Sequence, residues 1–343
     1  INNTIQNLEE RGIRSGFDFL STTAGFPVNQ TLIFYQETSS YGRAILVGMI
    51  NTIVVAIVGI LLTTALGFII GIARLSKNPI IKTVAYSYVE AIRNIPLLLQ
   101  IYFWYSVLLQ VSPEAVEYLS FGFDHFYLNI RGLFLPKPIF SEGSFLILFG
   151  AFVLAIVFSY FLSRWSRRRQ METGQLFPVF WVSVVLIIGL PLLVFFALGA
   201  PLTFEHPVFV GDGPTFKRGF QLNTGFRILP EFMALTIALV IYTAAFIAEI
   251  VRAGIESVSH GQTEAAYSLG LRPRRALRLV IIPQALRVII PPLTSQYLNL
   301  TKNSSLAVAI AYPDLVSTGG TVLNQNGQAI ENIAIWMAFY LSL

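Results

Sequence analysis

The 343 residues contain no cysteine, which excludes disulfides, thiolate metal ligands and a cysteine nucleophile among them. Charge is nearly as scarce: Asp, Glu, Lys and Arg make up 12% of the chain, against about a quarter in an ordinary soluble domain. Three histidines occur, His125, His206 and His260, each in a separate connecting segment with no partner at ligand spacing. No metal site is expected. There is no G-x-x-x-x-G-K-[ST] loop and no glycine-rich phosphate cradle after a strand, so no ATP hydrolysis and no cofactor are expected of this chain itself. Nor do a serine, a histidine and an acid converge on one membrane face. The reading is a non-enzyme.

What the chain has in abundance is apolar surface. Hydrophobic residues are 55% of it, and the mean hydropathy is +0.67. It reads as an all-α polytopic membrane protein. The net charge of +5 does not call for nucleic acid, because the arginines stand beside apolar runs, where a membrane explains them.

Residues 1–41 mix Glu9, Glu10, Arg11, Arg14 and Asp18 with apolar side chains and read as an external or membrane-surface segment. Ile1 and the short last apolar run read as limits of a longer chain, and no cleavable signal peptide is evident. Ala44 to Ala73 carries no charge and exceeds the roughly 20 residues that cross a bilayer. It ends at Arg74, Lys77 and Lys82, which mark the cytoplasmic side. Ile80 to Val111 returns outward carrying Glu90, Arg93, Asn94 and Pro96. Glu90 and Arg93 share a face and are spaced to pair, either toward a bundle interior or at the headgroups.

Residues 112–229 divide into two external loops and two crossings, Phe145 to Leu162 and Leu176 to Leu198, with Arg164, Arg167, Arg168 and Arg169 between them inside. Phe232 to Ile250 crosses inward and brings Tyr242, then Glu249 and Arg252, which are three apart. Beyond Pro283 the chain re-enters as PQALRVIIPPLTSQYLNLTKNSSLAVAI. Pro291 and Pro292 are expected to interrupt that helix, with Thr294, Ser295, Gln296 and Asn299 beside the freed backbone. Such a polar start suits the ends of an amino acid, and it equally suits bonds to neighbouring helices. Pro313 to Gly327 reads as an external loop, and Ile330 to Leu343 begins a final inward helix. Basic residues concentrate on the inferred inner face, whereas outside Arg131 and Lys217 are diluted by Glu114, Asp124, Glu205 and Asp212.

Between these crossings lies the most ordered polar stretch, HGQTEAAYSLGLRPRRALRLVIIP from His260 to Pro283. Good helix formers run to Leu269. Gly270 stands where a left-handed residue ends a helix, and Pro273 suits the first turn of the next. The expectation is helix, turn, helix at the membrane surface, with Glu264 beside Ala265 and Ala266 as a docking projection.

Glu264-Ala265-Ala266, Gly270, Val280, Ile282 and Pro283 resemble the EAA loop of type I ABC importer permeases, written EAA, three residues, G, nine residues, I-x-L-P. Val280 and Ile282 depart from it only in apolar type. The flanks AEIVRAGIESVSHGQTEAAYSLG and PQALRVIIPPLTSQYLNLTKNSSL resemble the polar amino acid permeases of that superfamily, and Lys302 to Leu306 resembles their K-[ND]-[ST]-S-L run. RGIRSGFDFL and the long middle region resemble the larger general L-amino-acid or glutamate/glutamine/aspartate/asparagine permeases.

The resemblance implies a MetI-like core in 42–111 and 230–343, an insertion in 112–229, and a cytoplasmic coupling loop at about 255–283. It implies that Glu264, Ala265, Ala266, Gly270, Arg272 and Pro283 couple to ATP-binding cassette subunits, which would bind the ATP and Mg. Thr294, Ser295, Gln296, Asn299 and Tyr242 are the candidate substrate path. The other implied partners are a second permease in a heterodimer, an external solute-binding protein, an L-amino acid and the bacterial inner membrane. An ion-gradient-driven secondary transporter, with Glu90 and Glu249 as the near candidates for its sites, and a membrane scaffold remain the alternatives by residues alone.

Overall fold

The computed structural model describes residues 16–122, 125–211, 219–221 and 224–343. Glu9, Glu10, Arg11, Arg14, Asp124, Asp212 and Lys217, which entered the reading of the N-terminal segment and the charge balance, lie outside the described residues. The chain divides into two compact units, Ile1–Ser112 with Leu229–Leu343, and Pro113–Ile228. Among the described residues, five helices are long and apolar enough to cross a membrane, and a sixth crossing results if one sharply bent pair is a single span.

In the first unit, helix α1 spans Tyr41–Arg74 and helix α6 spans Pro230–Glu256. Small residues recur on one face of α1, at Gly48, Thr52, Ala56, Gly59, Thr63, Gly67 and Gly71, and all of them are buried. A stripe of this kind lets two helix backbones approach in an apolar solvent, where packing rather than the hydrophobic effect holds helices together. The approach to α6 is close. A Cβ on Gly67 would lie 2.5 Å from the Ile247 side chain, and one on Gly71 would lie 2.8 Å from the Ala248 carbonyl oxygen. Helix α6 answers with Ala234, Ala238, Ala244, Ala245 and Ala248, and it is the central helix: 61% of its apolar window is buried, against 28% for α1. Thr63 Oγ1 donates to the Val240 carbonyl at 3.3 Å, so the hydroxyl finds a partner within the bundle.

Helices α2 (Pro79–Asn94) and α3 (Leu97–Val111) meet at a bend of 105°. Pro96 causes it, because proline disfavours helical backbone at the residue before it, and Ile95 is extended with φ −97° and ψ 124°. Gln100 then donates through Nε2 to the Ile92 and Ile95 carbonyls at 3.1 and 3.0 Å, covering acceptors that the end of α2 frees. Leu97 and Ile101 of α3 join Val55, Leu235, Leu239, Leu300, Ile310 and Tyr312 in the main core.

Three expectations are corrected. Helix α9 (Ile282–Asn303) runs unbroken through Pro291 and Pro292. The irregular turns fall at its two ends instead, a π-helical turn over Leu277–Ile281 and a 3₁₀ segment over Ser304–Ile310. The prolines leave only the Arg287 and Val288 carbonyls without their helical donors, and Ile289 and Leu293 on either side are buried with Ile247 and Val251 of α6, which holds the helix continuous. Residues 315–326 are not a loop but helix α10 (Leu315–Asn326), packed on α1. Asp314 caps it by accepting from Ser317 N at 2.8 Å, and Gly319, which looks loop-like in sequence, sits where a Cβ would run into the Trp336 ring. Arg93 does not pair with Glu90; its guanidinium lies 5.2 Å above the Phe246 ring. The first unit closes with helix α11 (Ala329–Ser342).

The second unit holds helices α4 (Ser144–Thr173) and α5 (Val179–Ala197), which pack on each other. Where loops were expected, its described residues also form eight strands of two to four residues. β1 (Leu119–Phe121), β2 (Phe126–Asn129), β3 (Gly132–Leu135) and β8 (Phe226–Ile228) form an antiparallel sheet in that order. β4 (Lys137–Phe140) pairs with β5 (Leu202–Glu205), and β6 (Phe209–Val210) pairs with β7 (Gly219–Phe220). Such short strands leave almost no alternation to read, and two of the pairs join residues far apart in the chain. Their core is aromatic: Phe134 and Phe220 are buried and stack at 4.4 Å.

Candidate coupling and translocation site

Helix α7 (His260–Ser268) ends in the arrangement expected of Gly270. Gly270 has φ +75°, a left-handed conformation that costs an L side chain roughly 1–2 kcal/mol. Its N–H donates to Tyr267 O at 2.9 Å and that of Leu271 to Ala266 O at 3.1 Å, which covers the carbonyls left free at the helix end. Pro273 then opens helix α8 (Pro273–Ala276) at its first turn. Two alanines lock the turn, since Ala266 is 3% exposed and Ala276 is fully buried.

The EAA triplet is thereby divided. Glu264 and Ala265 face outward, whereas Ala266 is buried in the turn's own packing. Arg272, Arg274, Arg275 and Arg278 are exposed around it, with Tyr267, Leu269, Leu277 and Leu279 as apolar neighbours. Pro283, exposed, lies in the first turn of α9, and Gln284 ties α9 back to the hook by donating from Nε2 to Gln262 Oε1 at 3.1 Å.

An ion network anchors the helix that carries this hook. Glu249 of α6 pairs with Arg74 at the end of α1 and, at 2.5 Å, with Arg252, which also pairs with Glu256. The Arg74 guanidinium lies 5.4 Å over the Tyr86 ring of α2. Three helices are thus joined at one end of the bundle. Sequence spacing exposes the Glu249–Arg252 pair; Arg74 is 175 residues away from Glu249, and only its position at the end of a charge-free run hints at it.

On α9, Ser295, Asn299 and Lys302 fall at intervals of four and three residues, which places them on one face, and all three are exposed together with Thr294. Gln296 is half-buried, and beside it Tyr297 shares a 2.7 Å hydrogen bond with Thr64 of α1. Tyr242 belongs to a different group: its ring lies 5.0 Å from that of Phe246, tilted by 55°, and Phe246 also carries the Arg93 guanidinium over its face. Among the described residues no hydrogen bond links Tyr242 to Thr294, Ser295, Gln296 or Asn299. A polar stripe left open along an apolar helix is costly in lipid, where neither water nor a neighbour satisfies it.

Residues 147–343 match the family model described as "Binding-protein-dependent transport system inner membrane component". The chain is 54% identical to the general L-amino acid transport system permease protein AapQ of Rhizobium johnstonii, over 99% of this chain and 83% of that one. It is 52% identical to the putative amino-acid ABC transporter permease protein YhdX of Escherichia coli K12, over 99% and 84%. To the glutamate/glutamine/aspartate/asparagine transport system permease protein BztB of Rhodobacter capsulatus it is 41% identical, over 100% and 85%. With more than half its length matched by the family model and nearly all of it aligned to such relatives, this multi-pass membrane protein belongs to the inner membrane components of binding-protein-dependent transport systems.

Proposed function

We propose that the chain is the permease subunit of an ATP-driven importer of L-amino acids and supplies half of the translocation path. The observation that carries this reading is the hook of α7 and α8: an outward carboxylate and a small side chain, Glu264 and Ala265, on a turn made rigid by Gly270, Ala266 and Ala276. It is a shape for receiving force from another protein. The hook lies on the cytoplasmic side of the bacterial inner membrane, where Glu264, Ala265, Gly270, Arg272 and Pro283 meet or shape the contact with an ATP-binding cassette subunit that holds the ATP and Mg. Closure of the nucleotide domains pushes the hook, and α6 and α9, tied to it by Gln284 and by direct chain continuity, tilt together. Such a step needs two arrangements of the bundle that both nucleotide and substrate bias.

The open stripe of Thr294, Ser295 and Asn299, with Gln296 at its edge, faces a second permease across the path, and Tyr242 lines that path from α6. These polar groups are uncharged, which favours neutral-to-acidic L-amino acids delivered by an external solute-binding protein. Glu249, held by Arg74 and Arg252, is not left free to bind a coupling ion.

The decisive experiment is co-purification. The native chain is expected to bring an ATPase subunit with it, and Glu264→Arg to lose at least tenfold of it while remaining in the membrane. Amino acid uptake that persists without any ATPase would refute the reading. For the path, Gln296→Ala with Asn299→Ala is expected to lower uptake tenfold or more, measured with radiolabelled amino acids; unchanged rates for every amino acid remove these residues from it.

A further inference from the structure

At the end of α4, four arginines occupy six residues, Arg164, Arg167, Arg168 and Arg169. Among the described residues none of them forms a salt bridge, since the ion pairs are made by Arg74 and Arg252 alone. The one acid nearby is Glu172. Helix length decides where this charge sits. Ser144 to Ser163 is free of charge, and its 20 residues rise about 30 Å, which is the thickness of the hydrocarbon. The next six rise about 8 Å, close to the depth of one headgroup layer. The arginines therefore lie within the layer of lipid phosphates rather than in the water beyond it.

Their side chains fit that depth. The Arg164 guanidinium sits 5.2 Å over Tyr160, and that of Arg169 sits 5.3 Å over Trp165, each leaning back one turn onto an aromatic ring. Trp165 meets Phe177 edge-on at 5.6 Å, while Phe180 and Trp181 are exposed at the start of α5, an aromatic girdle of the kind found at membrane interfaces. Arg169 is further occupied by donating to Gln175 Oε1 at 2.9 Å. Arg167 and Arg168 are exposed with no ring or acid against them, and both share a face with Arg164. Marking topology needs positive charge but not three exposed guanidinium groups on one helix face, a fork chemistry that suits a phosphate group.

We infer that Arg164, Arg167 and Arg168 bind the headgroup phosphate of an anionic phospholipid, with an acyl chain lying along the exposed Tyr160, Phe161 and Val157. A free phosphate ion has the same head chemistry but no chain to fill that apolar face.

The test uses the permease purified with its partner subunits, stripped of lipid, and titrated separately with phosphatidylglycerol, phosphatidylethanolamine and inorganic phosphate, with bound species counted by native mass spectrometry. Phosphatidylglycerol is expected to bind at least tenfold more tightly than phosphatidylethanolamine. Arg167→Gln with Arg168→Gln leaves Arg164 and Arg169 to hold the topology, and is expected to weaken that binding about twenty-fivefold, at roughly fivefold for each charge removed. The double lysine variant at the same positions keeps the charge and is expected to stay within fivefold of native. A single cysteine introduced as Met171→Cys, into a sequence that has none, reports that the turn keeps its side of the membrane in each variant. Equal affinity for the two lipids, an unchanged glutamine variant, equal losses for lysine and glutamine, or displacement of phosphatidylglycerol by millimolar phosphate would each overturn the assignment.

Discussion

Asp314 is the residue whose surroundings depart most from its chemistry. It is fully buried, one oxygen caps α10, and the other has no hydrogen-bond partner. Tyr312 and Tyr340 face it, and no basic group is paired with it. Burial pushes its carboxyl up to about 7, against about 4 in an unfolded chain. Between those values the unfolded chain gives up a proton that the folded one keeps, so this residue's effect on stability worsens as pH rises from about 4 to about 7 and is constant above. Asp314→Asn preserves the capping acceptor and removes the ionisation. It is expected to flatten that slope and raise the unfolding temperature at pH 8, measured by thermal unfolding in detergent. Arg74→Ala is expected to cost about 1–2 kcal/mol: the pair it breaks is buried on the arginine side and partly solvated on the Glu249 side, between the extremes for buried and surface pairs.

Helices in this protein are positioned by what is missing from their surfaces. Where Gly67 and Gly71 admit α6, any larger side chain meets backbone or a branched side chain. Gly71→Leu is expected to destabilise the fold by 2 kcal/mol or more and to lower the amount recovered folded, read by size-exclusion chromatography after membrane expression. The hook depends on backbone conformation instead. Nothing lies near Gly270, so Gly270→Val meets no clash there, but the left-handed backbone penalises it by roughly 1–2 kcal/mol. Helix α7 is expected to fray at its end, seen as faster amide exchange from Ala265 to Leu271, with coupling to the ATPase reduced while the bundle stays folded. The α2–α3 bend and the π turn before α9 show the same logic: Pro96 and its neighbours decide where a span changes direction, and side chains such as Gln100 make the change tolerable.

At the scale of the molecule, one subunit leaves Thr294, Ser295 and Asn299 open along α9, an arrangement stable in a membrane only when something covers it. Asn299→Cys is expected to react with a thiol reagent at least fivefold more slowly when all subunits of the transporter are present than when the chain is expressed alone. Equal reactivity would show that no partner faces this stripe.

Class, crossings and hook were legible in the residues themselves. Twenty or more uncharged residues cannot avoid the bilayer, and the conformations open to Gly270 and Pro273 are limited by local sterics that need no partner. The tertiary structure alone decided the rest. Pro291 and Pro292 look like a break, yet α9 stays continuous, because Ile289 and Leu293 on either side of them are buried in one cluster with Ile247 and Val251 of α6. Leu315 to Asn326 looks like a loop, yet it is a helix, because Asp314 caps it and Gly319 is spent on close packing against Trp336 of α11. Arg74 reaches Glu249 across 175 residues. Such pairings are set by which helices become neighbours, and a contact between distant residues leaves no period in a single sequence.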